Sequence, residues 1–346
     1  MYSMYQSFSP PRALLGSGLD LYNWSMQHVS SKPPTSVPEQ ISLLRERGMQ
    51  MSDTIATQWL STVGYYRLSG YWYPARIIKN GRRENNFIPG THFNDAISLY
   101  EADRKLRTLV HDGMERIEVA LRTKLCNQIC ANDSLAYTDP SIFRPTFNHQ
   151  SWTQAANKRI KRSLRHNEAI KHYKNDYAGD YPFWVMAEVL DFSDISRLYE
   201  GLKTGDQREI AENLGITIDL HLLSKEQRNN VTAGSPMARW FEHFTIIRNT
   251  CAHHGRLWNK SFVPTPTNAL RTISSINTLP QGQSEKIYGA LILMSYLLQG
   301  ISPGTTWPNK VSSLIKESFF TNPIVTPQAL GAPSDWDGSI SSATLT

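Results

Sequence analysis

Residues 93–131 read FNDAISLYEADRKLRTLVHDGMERIEVALRTKLCNQICA, and the spacing of their apolar positions decides the fold class. At 100° per residue, Leu99, Leu106, Val110, Ile117 and Leu121 fall within about 60° of one another, the core stripe of a long helix. Gly113 is the one interruption and would kink or divide that helix. Upstream, Ser36-Val37-Pro38-Glu39 combines an N-cap residue, a Pro in the first turn and a Glu three residues on. It opens a short helix that stops at Gly48, and a second helix over 52–62 stops at Gly64. Asn80-Gly81, flanked by 77–79 and Arg82, is the single good hairpin signal. Downstream, a polar and aromatic loop at 132–152 leads to helical segments at 183–189, 193–202 and 207–214, the last two separated by Gly205. Further helices are expected at 220–229, from Pro236 on, at 283–299 and at 308–319. The pattern predicts an all-α bundle with one short β-hairpin. Residues 1–35 read as an extended leader, 36–92 as an N-terminal helical part, 93–320 as the bundle and 321–346 as a Pro-, Gly- and Ser-rich tail, docked or loose.

Composition narrows the functional classes. Of 346 residues, 40% are hydrophobic, which fits a globular chain and excludes disorder throughout. The longest apolar run, 287–298, is too short to span a bilayer, and the first residues lack the pattern of a secretory signal, so a cytoplasmic protein is expected. Cys126, Cys130 and Cys251 give neither a disulfide framework nor a zinc spacing, and no metal or cofactor is expected. Thirty-six Lys and Arg stand against 30 Asp and Glu, a surplus of six. Most of it lies in 155–177, where Lys158, Arg159, Lys161, Arg162, Arg165, Lys171 and Lys174 face only Glu168 and Asp176. The thin apolar face there (Ile160, Leu164, Tyr173, Tyr177) predicts an exposed helix or helix pair. It is either a solvated charged face or a surface for RNA phosphates, with the two tyrosines offering stacking faces.

The stretch 237–255, MARWFEHFTIIRNTCAHHG, carries the chemistry. Trp240, Phe244, Ile247 and Cys251 form a core stripe within about 60°, and Gly255 supplies the helix stop, leaving His253 and His254 in the last turn. Asn249 and His253 are i, i+4 neighbours on the opposite face, with Arg248 about 140° from His253 on the flank. An imidazole exchanges a proton near neutral pH, and a guanidinium forks onto phosphate oxygens. Together they suit cleavage of RNA by its own 2′-hydroxyl, with His as proton carrier, Arg stabilising charge on phosphorus and Asn orienting groups. The plain structural alternative is a His on free helix carbonyls and an Arg paired with a carboxylate.

The run Arg248-Asn249-Thr-Cys-Ala-His253-His254-Gly-Arg256-Leu-Trp258-Asn259 resembles the signature of the Abi-like abortive-infection family (AbiD/AbiF type) of prokaryotic HEPN proteins. Further matching blocks are 40–48, Gly64-Tyr-Tyr-Arg67-Leu-Ser-Gly-Tyr71-Trp72, 100–107, 115–122 and the closing Gly331-Ala-Pro333-Ser-Asp-Trp336. The resemblance implies an all-α HEPN-type bundle and a metal-independent endoribonuclease with Arg248 and His253 in its catalytic motif, Asn249 as the motif's polar residue and His254 substituting or assisting. It further implies homodimerisation, because composite sites of this kind use two motifs and this chain holds one. A role in antiviral defence or a toxin–antitoxin module, beside a structured non-coding RNA, follows the same way. Arg67, within the aromatic run Tyr65, Tyr66, Tyr71, Trp72 and Tyr73, and Arg256 join the candidate RNA contacts; the aromatics either stack bases or pack on the bundle. Glu118 either orients Arg248 or forms an intrahelical pair with Arg122. Trp258 is expected to anchor the turn after the motif. The rival to a nuclease is a non-catalytic RNA-binding or scaffolding protein, and a third reading is a dimer whose polar motif is an interface network.

Overall fold

Phe93–Ile129 is one unbroken helix of 37 residues, and helices before and after it in the chain pack against it. The structure, a computed structural model, describes residues 33–340. The leader expected at 1–35 therefore lies outside the described residues except at its end. In chain order the helices are α1 (Val37–Glu46), α2 (Asp53–Thr62), α3 (Tyr65–Trp72), α4 (Phe93–Ile129), α5 (His149–Ser163), α6 (Glu168–Asp176), α7 (Phe183–Ala187), α8 (Phe192–Gly201), α9 (Thr204–Glu212), α10 (Lys225–Ala233), α11 (Met237–Ala252), α12 (Ile287–Ile301), α13 (Trp307–Leu314) and α14 (Pro327–Leu330). Strands β1 (Arg76–Lys79) and β2 (Arg82–Phe87) form the expected antiparallel hairpin. Its turn residues Asn80 and Gly81 both take positive φ, 50° and 73°, as a two-residue hairpin turn requires. A second pair, β3 (Thr265–Pro266) with β4 (Gln283–Ser284), was not expected.

The chain is mostly helical, as its periodicity predicts. The α4 stripe is buried throughout, and the helix packs on α3, α11, α12 and α13. Helix α12 is buried on nearly every side, so it is apolar all round rather than amphipathic. Helix α11 lies between α4 and α8.

Gly113 does not divide α4. A Cβ there would stand 2.7 Å from Met294 Cε and 3.0 Å from the Trp307 ring, so the glycine makes room for α12 and α13. Trp307 Nε1 donates to the Leu109 carbonyl at 2.6 Å across that close approach. Gly205 is likewise not the break between α8 and α9; it lies inside α9. The break falls at Leu202 and Lys203, because Arg144 captures the carbonyls that would continue the helix, through its backbone N–H to Gly201 (2.9 Å) and its Nε to Leu202 (3.0 Å).

Other boundaries shift for local reasons. The Ser224 side chain accepts from Gln227 N–H and starts α10 at Lys225, leaving only a short turn at Leu220–Leu222. Gln283 and Ser284 pair with β3, so α12 begins at Ile287. Beyond Asn322 the described chain docks: Leu330 and Ile340 are buried, and Trp336 meets Tyr288 edge-on at 4.8 Å.

Candidate functional site

The stripe of α11 behaves as its spacing demands: Trp240, Phe244, Ile247 and Cys251 are buried against the bundle. On the other side Arg248 is half-buried, and Asn249, His253 and His254 are exposed. Arg248 Nη1 donates to Asn249 Oδ1 at 3.4 Å. The helix ends at Ala252, so neither His253, which is its cap, nor His254 lies in the last turn as expected. The left-handed residue that terminates the helix is His254, with φ 55°, and not Gly255. Gly255 serves close approach: its N–H donates to the Thr250 carbonyl at 2.7 Å, and a Cβ would lie 2.9 Å from Thr250 Cγ2. A side-chain-bearing residue in the left-handed region costs about 1–2 kcal/mol, so the turn must be held by its neighbours.

Those neighbours are identifiable. Arg67 Nη1, on α3, donates to the His254 carbonyl at 2.7 Å, and Arg107 Nη1, on α4, reaches the Gly255 carbonyl at 3.5 Å. Arg256 sends its guanidinium back to the Gly70 carbonyl and lies over the rings of Tyr71 and Trp258. At the centre is Asp103, fully buried in the α4 stripe. It accepts from the Tyr71 hydroxyl (2.7 Å), the Trp258 N–H (2.8 Å) and the Leu257 N–H (3.2 Å), and it pairs with Arg107. Burial pushes the Asp103 carboxyl up, while the Arg107 guanidinium and the two backbone donors pull it back toward ionisation. Burial also pushes the Tyr71 phenol up, with Asp103 adding to the shift.

Tyr71 belongs to the aromatic run expected to stack bases or pack on the bundle, and it packs; Asp103 and Arg107 carry no expected role beyond lying in a matching block. The signal was there: an Asp within the apolar stripe, four residues before an Arg. Trp258 is fully buried and anchors the segment, as expected. Arg67 and Arg256, taken as candidate RNA contacts, are placed on backbone carbonyls of the motif's turn and of α3. Of the aromatic run, Tyr71 and Trp72 pack inside and Tyr65 meets Trp72 edge-on at 5.2 Å, whereas Tyr66 is 86% exposed.

Glu118 forms the intrahelical pair: its carboxylate accepts from Arg122 Nη2 at 2.8 Å. Burial raises the Glu118 carboxyl, the charges of Arg122 and then Arg248 lower it, and Asp191 raises it again. Glu118 thus lies within electrostatic reach of Arg248 while bonded to Arg122. Asp191 in turn pairs with Arg159 (2.6 Å) and Arg162 (3.5 Å) of α5, and Asp194 takes Arg159 Nε at 2.9 Å. The basic stretch 155–177 is therefore a helix pair, α5 and α6, of which α5 is joined through Asp191 to the surroundings of Arg248. Arg159 is committed to that junction. Lys158, Lys161, Arg165, Lys171 and Lys174 are exposed and make no ion pair among the described residues. Tyr173 and Tyr177 stack on each other at 4.8 Å.

Beside the turn, between α4 and the end of α11, runs an open groove of about 670 Å³. Tyr100, Arg104, Arg107, Thr108, His111, Asp112 and Glu115 line one wall, and Cys251, Ala252 and His254 the other. Among the described residues, no three His, Cys, Asp or Glu side chains are grouped to hold a metal ion, and no helix is long and apolar enough to cross a membrane.

One protein-family model, described as Abi-like protein, matches residues 58–259, from α2 to the end of the motif's turn. No curated protein and no solved structure matches the chain.

Proposed function

Because the chain belongs to the Abi-like protein family, with the abortive-infection-related role that membership implies, we propose that it is a metal-independent endoribonuclease of the HEPN type. It acts as the effector of a prokaryotic antiphage or toxin–antitoxin module, in the cytoplasm, as a homodimer on RNA and beside a structured non-coding RNA. The observation that carries this reading is the outer face of α11. A helix whose inner face is fully packed holds Arg248, Asn249 and His253 outside, with a polar turn clasped by three arginines. The Arg67 arm of this clasp serves positioning better than it serves stability, since water would satisfy the exposed His254 carbonyl equally well.

In the proposed reaction a histidine takes the proton of the 2′-hydroxyl, whose oxygen attacks the adjacent phosphorus. The phosphorus–O5′ bond breaks, and a second histidine protonates the departing 5′-oxygen. The products are a 2′,3′-cyclic phosphate and a 5′-hydroxyl, so atoms and charge balance. Arg248 stabilises the charge on the phosphorane oxygens and Asn249 orients the guanidinium, to which it is already hydrogen-bonded. A two-fold partner supplies the second His and Arg across the same phosphate. The exposed cations of α5 and α6 guide the RNA backbone, and α5 is tied through Asp191 to the surroundings of Arg248.

Replacing His253 with Ala tests this reading. Cleavage falls about 10²–10⁴-fold while RNA affinity holds, and wild-type activity persists in EDTA. Undiminished cleavage by His253→Ala overturns the assignment, and strict dependence on added Mg²⁺ overturns the metal-free mechanism. Wild-type protein that binds RNA without ever cutting it is instead a scaffolding protein.

A further inference from the structure

His253 and His254 do not share surroundings. His254 lines the groove between α4 and the end of α11, and His253 is not among the lining residues of that groove. On the α4 wall, Arg104, Thr108, His111 and Glu115 stand at successive spacings of four, three and four residues, a single ridge along the helix. From Arg104 to Glu115 that ridge runs roughly 16 Å at 1.5 Å per residue, longer than one nucleotide of an RNA strand. His254 enters beside Arg107, whose guanidinium reaches the adjoining Gly255 carbonyl. The groove is wide and open, with a cation near one end and carboxylates at the other.

We infer that this groove is the subsite for the nucleotide next to the scissile phosphate, and that His111 contacts it directly. The inference rests on the ribonuclease reading for the words "scissile phosphate", but its RNA-binding content stands apart from catalysis. Charge sets the orientation. Arg104 is exposed, and its one ion pair among the described residues is with the surface carboxylate of Glu101, a pairing worth little that a phosphate displaces readily. Asp112 and Glu115 at the far end repel phosphate and accept N–H groups, so the base lies toward them and its exocyclic amine is the group they recognise. Asp112 is already paired with Arg116, which leaves Glu115 as the acceptor. His111 and His254 line the groove between these ends, where a sugar hydroxyl or bridging oxygen of the bound nucleotide would lie.

Thr108 is exposed on α4, so substitutions there leave the fold intact. Thr108→Glu places a carboxylate where the RNA backbone enters, and kcat/KM for RNA cleavage falls about tenfold or more, chiefly through KM, with an unchanged melting temperature. His111→Ala lowers kcat/KM in the same assay. A second measurement needs no cleavage: a photo-reactive benzophenone side chain at position 108, in the His253→Ala background, is irradiated with a single-stranded RNA oligonucleotide. Crosslinking at 108, and none at the exposed control position Thr57 on α2, supports the subsite even if the wild-type protein cuts no RNA. Cleaving wild-type protein with full activity in Thr108→Glu, or equal crosslinking at 57 and 108, overturns the groove and leaves the ribonuclease reading standing.

Discussion

Arg67 and His254 meet through one hydrogen bond, and the bond falls on the residue with the least comfortable backbone in the motif. A left-handed histidine at a helix end points its ring away from the direction it would take in a continued helix, and here it points into the groove. The guanidinium of Arg67 is exposed, so deleting it opens no cavity and water takes its place on the carbonyl. Arg67→Ala therefore lowers stability by about 1 kcal/mol or less. On the proposed ribonuclease reading cleavage falls further, by roughly ten- to a hundredfold in kcat, because the histidines lose their geometry. Arg67→Lys keeps a donor and recovers part of the loss. Single-turnover RNA cleavage alongside thermal melts checks this; equal kcat in Arg67→Ala and wild type removes Arg67 from any positioning role. None of this is legible in the sequence, where Gly255 marks the helix stop on local grounds. The preference of glycine for the left-handed conformation was outweighed by the room Gly255 must leave for Thr250.

At the level of elements, periodicity served well where a face is buried along its whole length. The α4 and α11 stripes, the exit at Gly64 and the Asn80-Gly81 turn are local patterns with local causes. What stayed hidden depends on elements far away in the chain. Gly113 looks like a helix breaker until α12 and α13 are known to press on it. Gly205 looks like a boundary until Arg144 is seen taking the carbonyls of Gly201 and Leu202. Gly113→Ala separates the two ideas. In an open helix the change stabilises by about 1 kcal/mol. Here the new methyl meets the rigid Trp307 ring at 3.0 Å, and the overpacking reverses the sign, for a net loss of about 1–2 kcal/mol. Urea unfolding decides it, and a gain in stability would mean that the glycine is merely tolerated. The basic stretch shows the same limit: its charge was countable, but the commitment of Arg159 to Asp191 and Asp194 was not.

Across the whole molecule, one buried titratable group sets a pH dependence. His243 lies inside, edge-on to Trp240 and Phe262, and burial pushes its pKa down to about 4 from the ordinary 6.5. An unfolded chain takes up this proton first as the pH falls. The stability that neutral His243 contributes is full above pH 6.5 and drains away between 6.5 and 4, up to about 3 kcal/mol. His243→Phe, close in shape and without a proton to bind, loses less stability between pH 7 and pH 4.5 than wild type does; parallel acid limbs in urea melts at the two pH values would contradict this. The mostly helical class was legible from the chain, and the second small sheet was not, because a two-residue pairing leaves no periodic trace. The clasp joining α3 to the motif's turn has a consequence for the timing of synthesis. Its contacts span 186 and 187 residues. At cellular translation rates, roughly 10–40 s separate the appearance of Arg67 from that of His254. Until the later residue leaves the ribosome, the nascent chain has α3 and α4 but no turn for them to hold. A protein whose proposed work is to cut RNA would thus be translated to beyond its motif before its cutting edge exists.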